Sequence, residues 1–117
     1  MKQTLIVFVQ DNPGVLNRIS SHIRRRNFNI ESLVAGRTER KEITRMTVVL
    51  NEPDKTKQRT VVNSLKELID VYDVIDATEI DSHIREYALV KVALKKDDLN
   101  AVNKIVESVH GKIIDGT

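Results

Sequence analysis

What most constrains this chain is the succession of apolar periods along residues 1–81, where strand-like and helix-like spacing replace each other in a fixed order. Residues 4–10 form a short, almost unbroken apolar run rich in β-branched side chains, closed by Asp11, Asn12, Pro13 and Gly14. Its length and its turn residues favour a buried strand over a helix. From Val15 the period becomes helical: Val15, Leu16, Ile19 and Ile23 fall on one stripe, with Asn17, Arg18, Ser21, His22, Arg24 and Arg25 outside it. Asn27 reads as a left-handed stop. A strand over residues 28–34 and a loop over 35–42 follow. Residues 43–50 alternate as a strand, and Asn51, Glu52, Pro53 and Asp54 break it. A second helix carries Val61, Val62, Leu65, Leu68 and Ile69 on one face, and residues 71–80 complete the set as a strand.

The order is β-α-β-β-α-β, the split arrangement in which four strands make one antiparallel sheet with both helices on one face. The predicted fold class is therefore α+β and ferredoxin-like, with residues 1–81 as one complete domain. Residues 82–117 start the pattern again. Residues 86–94 read as a strand, Asp97 as a cap, and Leu99, Val102, Ile105, Val106 and Val109 as the buried side of a helix that Gly111 ends. Residues 112–115 begin another strand. This is a β-α-β half-unit, too short to close a sheet of its own, so it must pack on the first unit, pair with another chain or remain partly mobile.

Composition narrows the chemistry. Of 117 residues, 40% are hydrophobic and 31% charged, which suits a packed domain and not a disordered tail. There is no cysteine, so disulfides, thiolate catalysis and cysteine zinc sites are excluded. No apolar run reaches the roughly 18–20 residues that span a bilayer, and nothing in the first residues reads as a signal or transit sequence. A cytoplasmic protein is expected. Charge is unevenly spread: residues 1–46 carry nine Lys/Arg against four Asp/Glu, and residues 47–81 four against eight. A basic front half suits nucleic acid or an acidic protein surface equally. Sheet-bound RNA needs stacking aromatics, and only Phe8, Phe28, Tyr72 and Tyr87 exist.

His22, His83 and His110 lack metal-ligand spacing and read as solvated. Ser20 and Ser21 sit mid-helix without a nucleophile turn, and no phosphate-binding glycine pattern occurs. The informative place is the strand-to-helix junction at Asp11, Asn12, Pro13, Gly14, Val15 and Leu16. Pro13 fixes its own φ, and Gly14 lets a ligand approach the backbone. The helix amides that follow favour a carboxylate, and Asp11 or Asn12 is placed to take an ammonium. The alternative is a tight turn and helix cap without a ligand.

The β-α-β-β-α-β unit opening with Asp-Asn-Pro-Gly-Val-Leu resembles an ACT domain, a small module that binds amino acids. Further segments are Asn29-Ile30-Glu31-Ser32-Leu33, Thr44-Arg45-Met46-Thr47-Val48-Val49, Arg85-Glu86-Tyr87-Ala88-Leu89-Val90-Lys91-Val92 and Gly111-Lys112-Ile113-Ile114-Asp115. In order and spacing they resemble the regulatory small subunit of acetohydroxyacid (acetolactate) synthase. That resemblance implies a non-catalytic subunit with no cofactor of its own. Its partner is a large subunit carrying thiamine diphosphate, magnesium and FAD. The small subunit raises the large subunit's activity and confers feedback inhibition by a branched-chain amino acid, typically valine. The resemblance also implies a homodimer of side-by-side ACT units with effectors between them. The effector carboxylate would meet amides around Gly14 and Val15, and Asn12, Pro13, Leu16 and Ile30 would line the pocket. Asn29 would reach it from the paired unit. The family often has Asn where Asp11 stands, and its members continue beyond Asp115. Other classes left open are an ACT-type sensor serving another enzyme and a ferredoxin-like nucleic-acid-binding module.

Overall fold

Leu5, Val7 and Val9 alternate with Thr4, Ile6 and Phe8 along β1 (Lys2–Gln10), and this period of two decides which face of the sheet is covered. The first set is buried and the second half-buried. The computed structural model describes residues 2–115, which divide between His83 and Ile84 into two units.

In the first unit β1 is followed by α1 (Val15–Arg25), β2 (Ile30–Arg37), β3 (Ile43–Asn51), α2 (Lys55–Lys66) and β4 (Val71–Asp76). The four strands form one antiparallel sheet in the order β2-β3-β1-β4. This is the expected α+β, ferredoxin-like β-α-β-β-α-β arrangement. Register carries the buried set from strand to strand: Leu5 faces Val48, Val7 faces Met46 and Val74, and Gln3 faces Leu50. Val15, Ile19 and Ile23 of α1 and Val61 and Leu65 of α2 join the same cluster, so both helices lie on one face. Each such aliphatic side chain contributes about 1.5–3 kcal/mol by leaving water. Gln3 of β1 and Gln58 of α2 are the buried polar residues among those described, and Gln3 is the deeper. Its Nε2 donates to the Gln58 carbonyl and to Asp76 Oδ2, at 3.0 Å each.

Helix ends follow from local chemistry. Asp54 caps α2 by accepting from the Thr56 amide at 2.9 Å. Helix α1 stops where Asn27 takes φ 62°. The Asn27 amide then donates to Arg24 O and the Phe28 amide to Ile23 O, a Schellman closure in which buried Phe28 sits by Ile23. Several boundaries differ from expectation. Strand β2 starts at Ile30 rather than at residue 28. Strand β4 ends at Asp76 rather than at residue 80; Asp76 Oδ1 accepts from the Thr78 amide and turns the chain. Strand β2 extends to Arg37, into the segment expected as loop. Helix α2 ends at Lys66, so Ile69, assigned to its apolar face, lies beyond it and is 91% exposed.

The second unit, taken by itself, has a 3-10 turn at Lys96–Asp98 and α3 (Leu99–Ser108). Residues 86–94 and 112–115, expected as strands, belong to no sheet. A strand exists only through a ladder with a neighbour, and half of a split unit does not supply one. The apolar side expected to be buried on α3 is largely exposed at Leu99, Ile105 and Val109. The residue before α3 is Asp98 rather than Asp97, and its side chain makes no cap hydrogen bond to the helix. The left-handed C-terminal residue is His110 (φ 55°) rather than Gly111. Gly111 stands one place further, where its amide donates to Val106 O at 2.8 Å.

Candidate functional site

Gly14 has φ +83°, and it opens α1 without any side-chain cap. The two residues expected to cap or to bind there are engaged elsewhere. Asp11 Oδ1 accepts from the Thr44 hydroxyl of β3 at 3.1 Å, and Asn12 Nδ2 donates to Gln10 Oε1 at 2.9 Å. The Val15 amide donates to Asn12 O at 3.3 Å. Among the described residues, the amides of Gly14, Leu16 and Asn17 have no acceptor. A helix head left in this condition carries partial positive charge toward solvent. Asp11, Asn12, Pro13, Gly14 and Leu16 are exposed, whereas the Val15 side chain belongs to the core.

The turn is tied down from outside. Gln10 donates its amide to Asp70 O at 2.9 Å, and Asp11 donates to Glu42 O at 2.8 Å. Arg18 Nε bonds Asp70 Oδ2 at 2.7 Å. The Arg18 Nη1 lies 3.3 Å from the position a Cβ on Gly14 would take. Arg18 follows Gly14 by four residues, so helical spacing alone points to it. Asp70 and Thr44 are distant in sequence, and only the packing of β4 and β3 on β1 brings them in.

Asn29 and Ile30 are not near this turn within one chain. Ile30 pairs with Leu50, which pairs with Gln3; Arg37 pairs with Thr44, which pairs with Val9. At about 3.3 Å per residue, the two groups stand at opposite ends of the sheet, about 20 Å apart along it. Asn29 is exposed, its carbonyl accepting from the Asn51 amide at 3.1 Å, and Ile30 packs half-buried on the core.

His22 departs from the solvated reading. Its Nε2 is buried with no partner among the described residues, and Nδ1 lies 3.1 Å from Arg26 Nη1. Burial first, then Arg26 and Arg25, lowers its pKa from the ordinary histidine value, with Glu67 opposing. Two clefts open elsewhere on this unit. One of about 250 Å³ is lined by Phe8, Arg40, Ile43 and Tyr72 among others, and one of about 390 Å³ by Gln58, Arg59, Asp76 and Thr78. Neither includes a residue of the Gly14 turn. Among the described residues no group of three or more acidic or histidine side chains is placed to hold a metal ion, and no helix is long and apolar enough to cross a membrane.

Residues 5–73 match the family model of the AHAS small subunit-like ACT domain. The acetolactate synthase small subunit of Mycolicibacterium smegmatis is 40% identical over 115 residues, covering 96% of this chain and 65% of the relative. The probable acetolactate synthase small subunit of Archaeoglobus fulgidus is 37% identical over 115 residues, covering 98% and 71%. This chain thus spans about two thirds of the length of these relatives. In fold it is similar to the crystal structure of the acetolactate synthase small subunit from Thermotoga maritima (TM-score 0.81, 20% identity, 100% of this chain and 73% of that one). It is also similar to the ACT domain from GTP pyrophosphokinase of Chlorobium tepidum in solution (TM-score 0.60, 17% identity, 74% and 97%).

Proposed function

We propose that this chain, which belongs to the acetolactate synthase small-subunit family, is a regulatory, non-catalytic subunit. It takes a branched-chain amino acid, with valine the expected one, at the Gly14 turn, and it controls a catalytic large subunit. The observation that carries the reading is the uncapped head of α1. A left-handed glycine removes the side chain, and neither Asp11 nor Asn12 competes for the free amides. A carboxylate is the natural acceptor for such a head.

Register supports a site shared between two copies. β2 is a sheet edge, so antiparallel pairing of two β2 edges lays the Ile30 end of one copy beside the Arg37 end of the other. The Arg37 end is the end that carries the Gly14 turn. Asn29 and Ile30 of a second copy thereby approach the turn they cannot reach in their own chain. An effector that binds this pair acts by linkage. It shifts the large subunit between states by as much as its affinities for those states differ, about 1–3 kcal/mol in ordinary allosteric systems.

Thiamine diphosphate, magnesium and FAD belong, in this reading, to the large subunit. The test is reconstitution with an acetolactate synthase large subunit, assayed with and without valine, leucine and isoleucine. The expected result is higher activity on adding the chain and inhibition by at least one of the three amino acids. Unchanged activity in every combination, together with no calorimetric binding of the three, overturns the proposal.

A further inference from the structure

The Gly14 turn has a cation that none of the residues expected there provides. Arg18 leaves α1 one turn after Gly14, and its half-exposed guanidinium is paired on one side. The Nε hydrogen bonds Asp70 Oδ2 at 2.7 Å, and that carboxyl side chain is only 14% exposed. The same residue's carbonyl receives the Gln10 amide, so Asp70 fastens the last residue of β1 and the first turn of α1 together. One side of the guanidinium is therefore used. The bond to Asp70 engages Nε, while Nη1 stands 3.3 Å from where a Gly14 Cβ would be. A side chain at position 14 would occupy the space in front of that nitrogen; glycine leaves it open.

Building on the effector reading above, we infer that Arg18, aimed by Asp70, is an effector-binding residue that receives the carboxylate of the amino acid jointly with the free amides of α1. The chemistry fits. A guanidinium offers N–H groups in a rigid fork, so it can hold one carboxylate through Nε and another through its Nη groups. A charge-assisted bond to a carboxylate is stronger than an amide contact alone. The Asp70 bond also removes side-chain freedom in advance, which lowers the entropic cost of capturing a ligand. Specificity follows as well: the site recognises the carboxylate of the ligand, and a neutral amide in its place loses the ionic contact.

The test is calorimetric titration of the full chain with valine and with valinamide, for the unaltered protein and for Arg18→Gln, Arg18→Lys and Asp70→Asn. Urea unfolding of each variant accompanies the titrations. Arg18→Gln is expected to weaken valine about tenfold, which is close to 1.4 kcal/mol, and to shrink the preference for valine over valinamide by a similar factor. Arg18→Lys and Asp70→Asn are expected to lose part of that preference, and they carry the test if Arg18→Gln does not fold. Equal weakening of valine and valinamide, or valine affinity unchanged in a folded Arg18 variant, overturns the inference and leaves the effector reading standing. Failure of the unaltered chain to bind valine, leucine or isoleucine overturns this inference, and together with unchanged activity on reconstitution it overturns the effector reading as well.

Discussion

Thr44 of β3 donates its hydroxyl hydrogen to Asp11 Oδ1 at 3.1 Å, across 33 residues of sequence. The bond ties the carboxylate that precedes the Gly14 turn to the neighbouring strand and leaves the head of α1 uncapped. Thr44→Val is expected to lower stability by about 0.5–1 kcal/mol, the net value of one partly exposed hydrogen bond. Asp11→Asn keeps an acceptor oxygen for Thr44 and is expected to change stability by less than about 0.5 kcal/mol. Urea titration of both variants checks the contrast.

Gly14 is strained for any side chain by its φ of +83° and by Arg18 Nη1 at 3.3 Å from its would-be Cβ. Gly14→Ala is expected to cost about 1–2 kcal/mol. Gly14→Asp adds negative charge where a carboxylate is proposed to bind, and calorimetry is expected to show valine binding lost while circular dichroism stays native. Unchanged valine binding in Gly14→Asp contradicts the site.

Asn27 closes α1 at φ 62°. Asn27→Gly is expected to be neutral within about 0.5 kcal/mol, since glycine enters that region freely. Asn27→Ala is expected to cost about 1 kcal/mol through the left-handed penalty. Thermal unfolding of the pair separates this conformational effect from any loss of contact.

His22 has a pKa lowered in the folded chain by burial, Arg26 and Arg25. The unfolded chain therefore binds the proton more readily. Its neutral form carries full stability above the ordinary histidine value of about 6.5, and stability falls as pH drops below it. Urea midpoints at pH 7.5 and 5.5 are expected to fall further in the unaltered protein than in His22→Gln. Equal falls contradict the assignment.

The periods of two and 3.6 in residues 1–81 determined the strand and helix order, the buried stripe of Val15, Ile19 and Ile23, and the left-handed stop at Asn27. These are local consequences of side-chain spacing and backbone preference. They hold because each element has a partner face to cover. The same reasoning applied to residues 86–94 and 112–115 yields strand patterns without strands, because spacing shows what a segment can do and not whether a neighbour is there to pair with it. Gly14 too was legible as the turn that opens α1, since glycine relaxes the backbone where a strand passes into a helix.

The tertiary structure alone decided what surrounds that glycine. Asp70 and Thr44 arrive through the pairing of β4 and β3 with β1, while Asn29 and Ile30 are carried by the crossover of α1 to the opposite end of the sheet. Sequence separation carries no record of either outcome. Which side chains share a site is set by strand order and register, and these are fixed by the closing of one core over the whole unit.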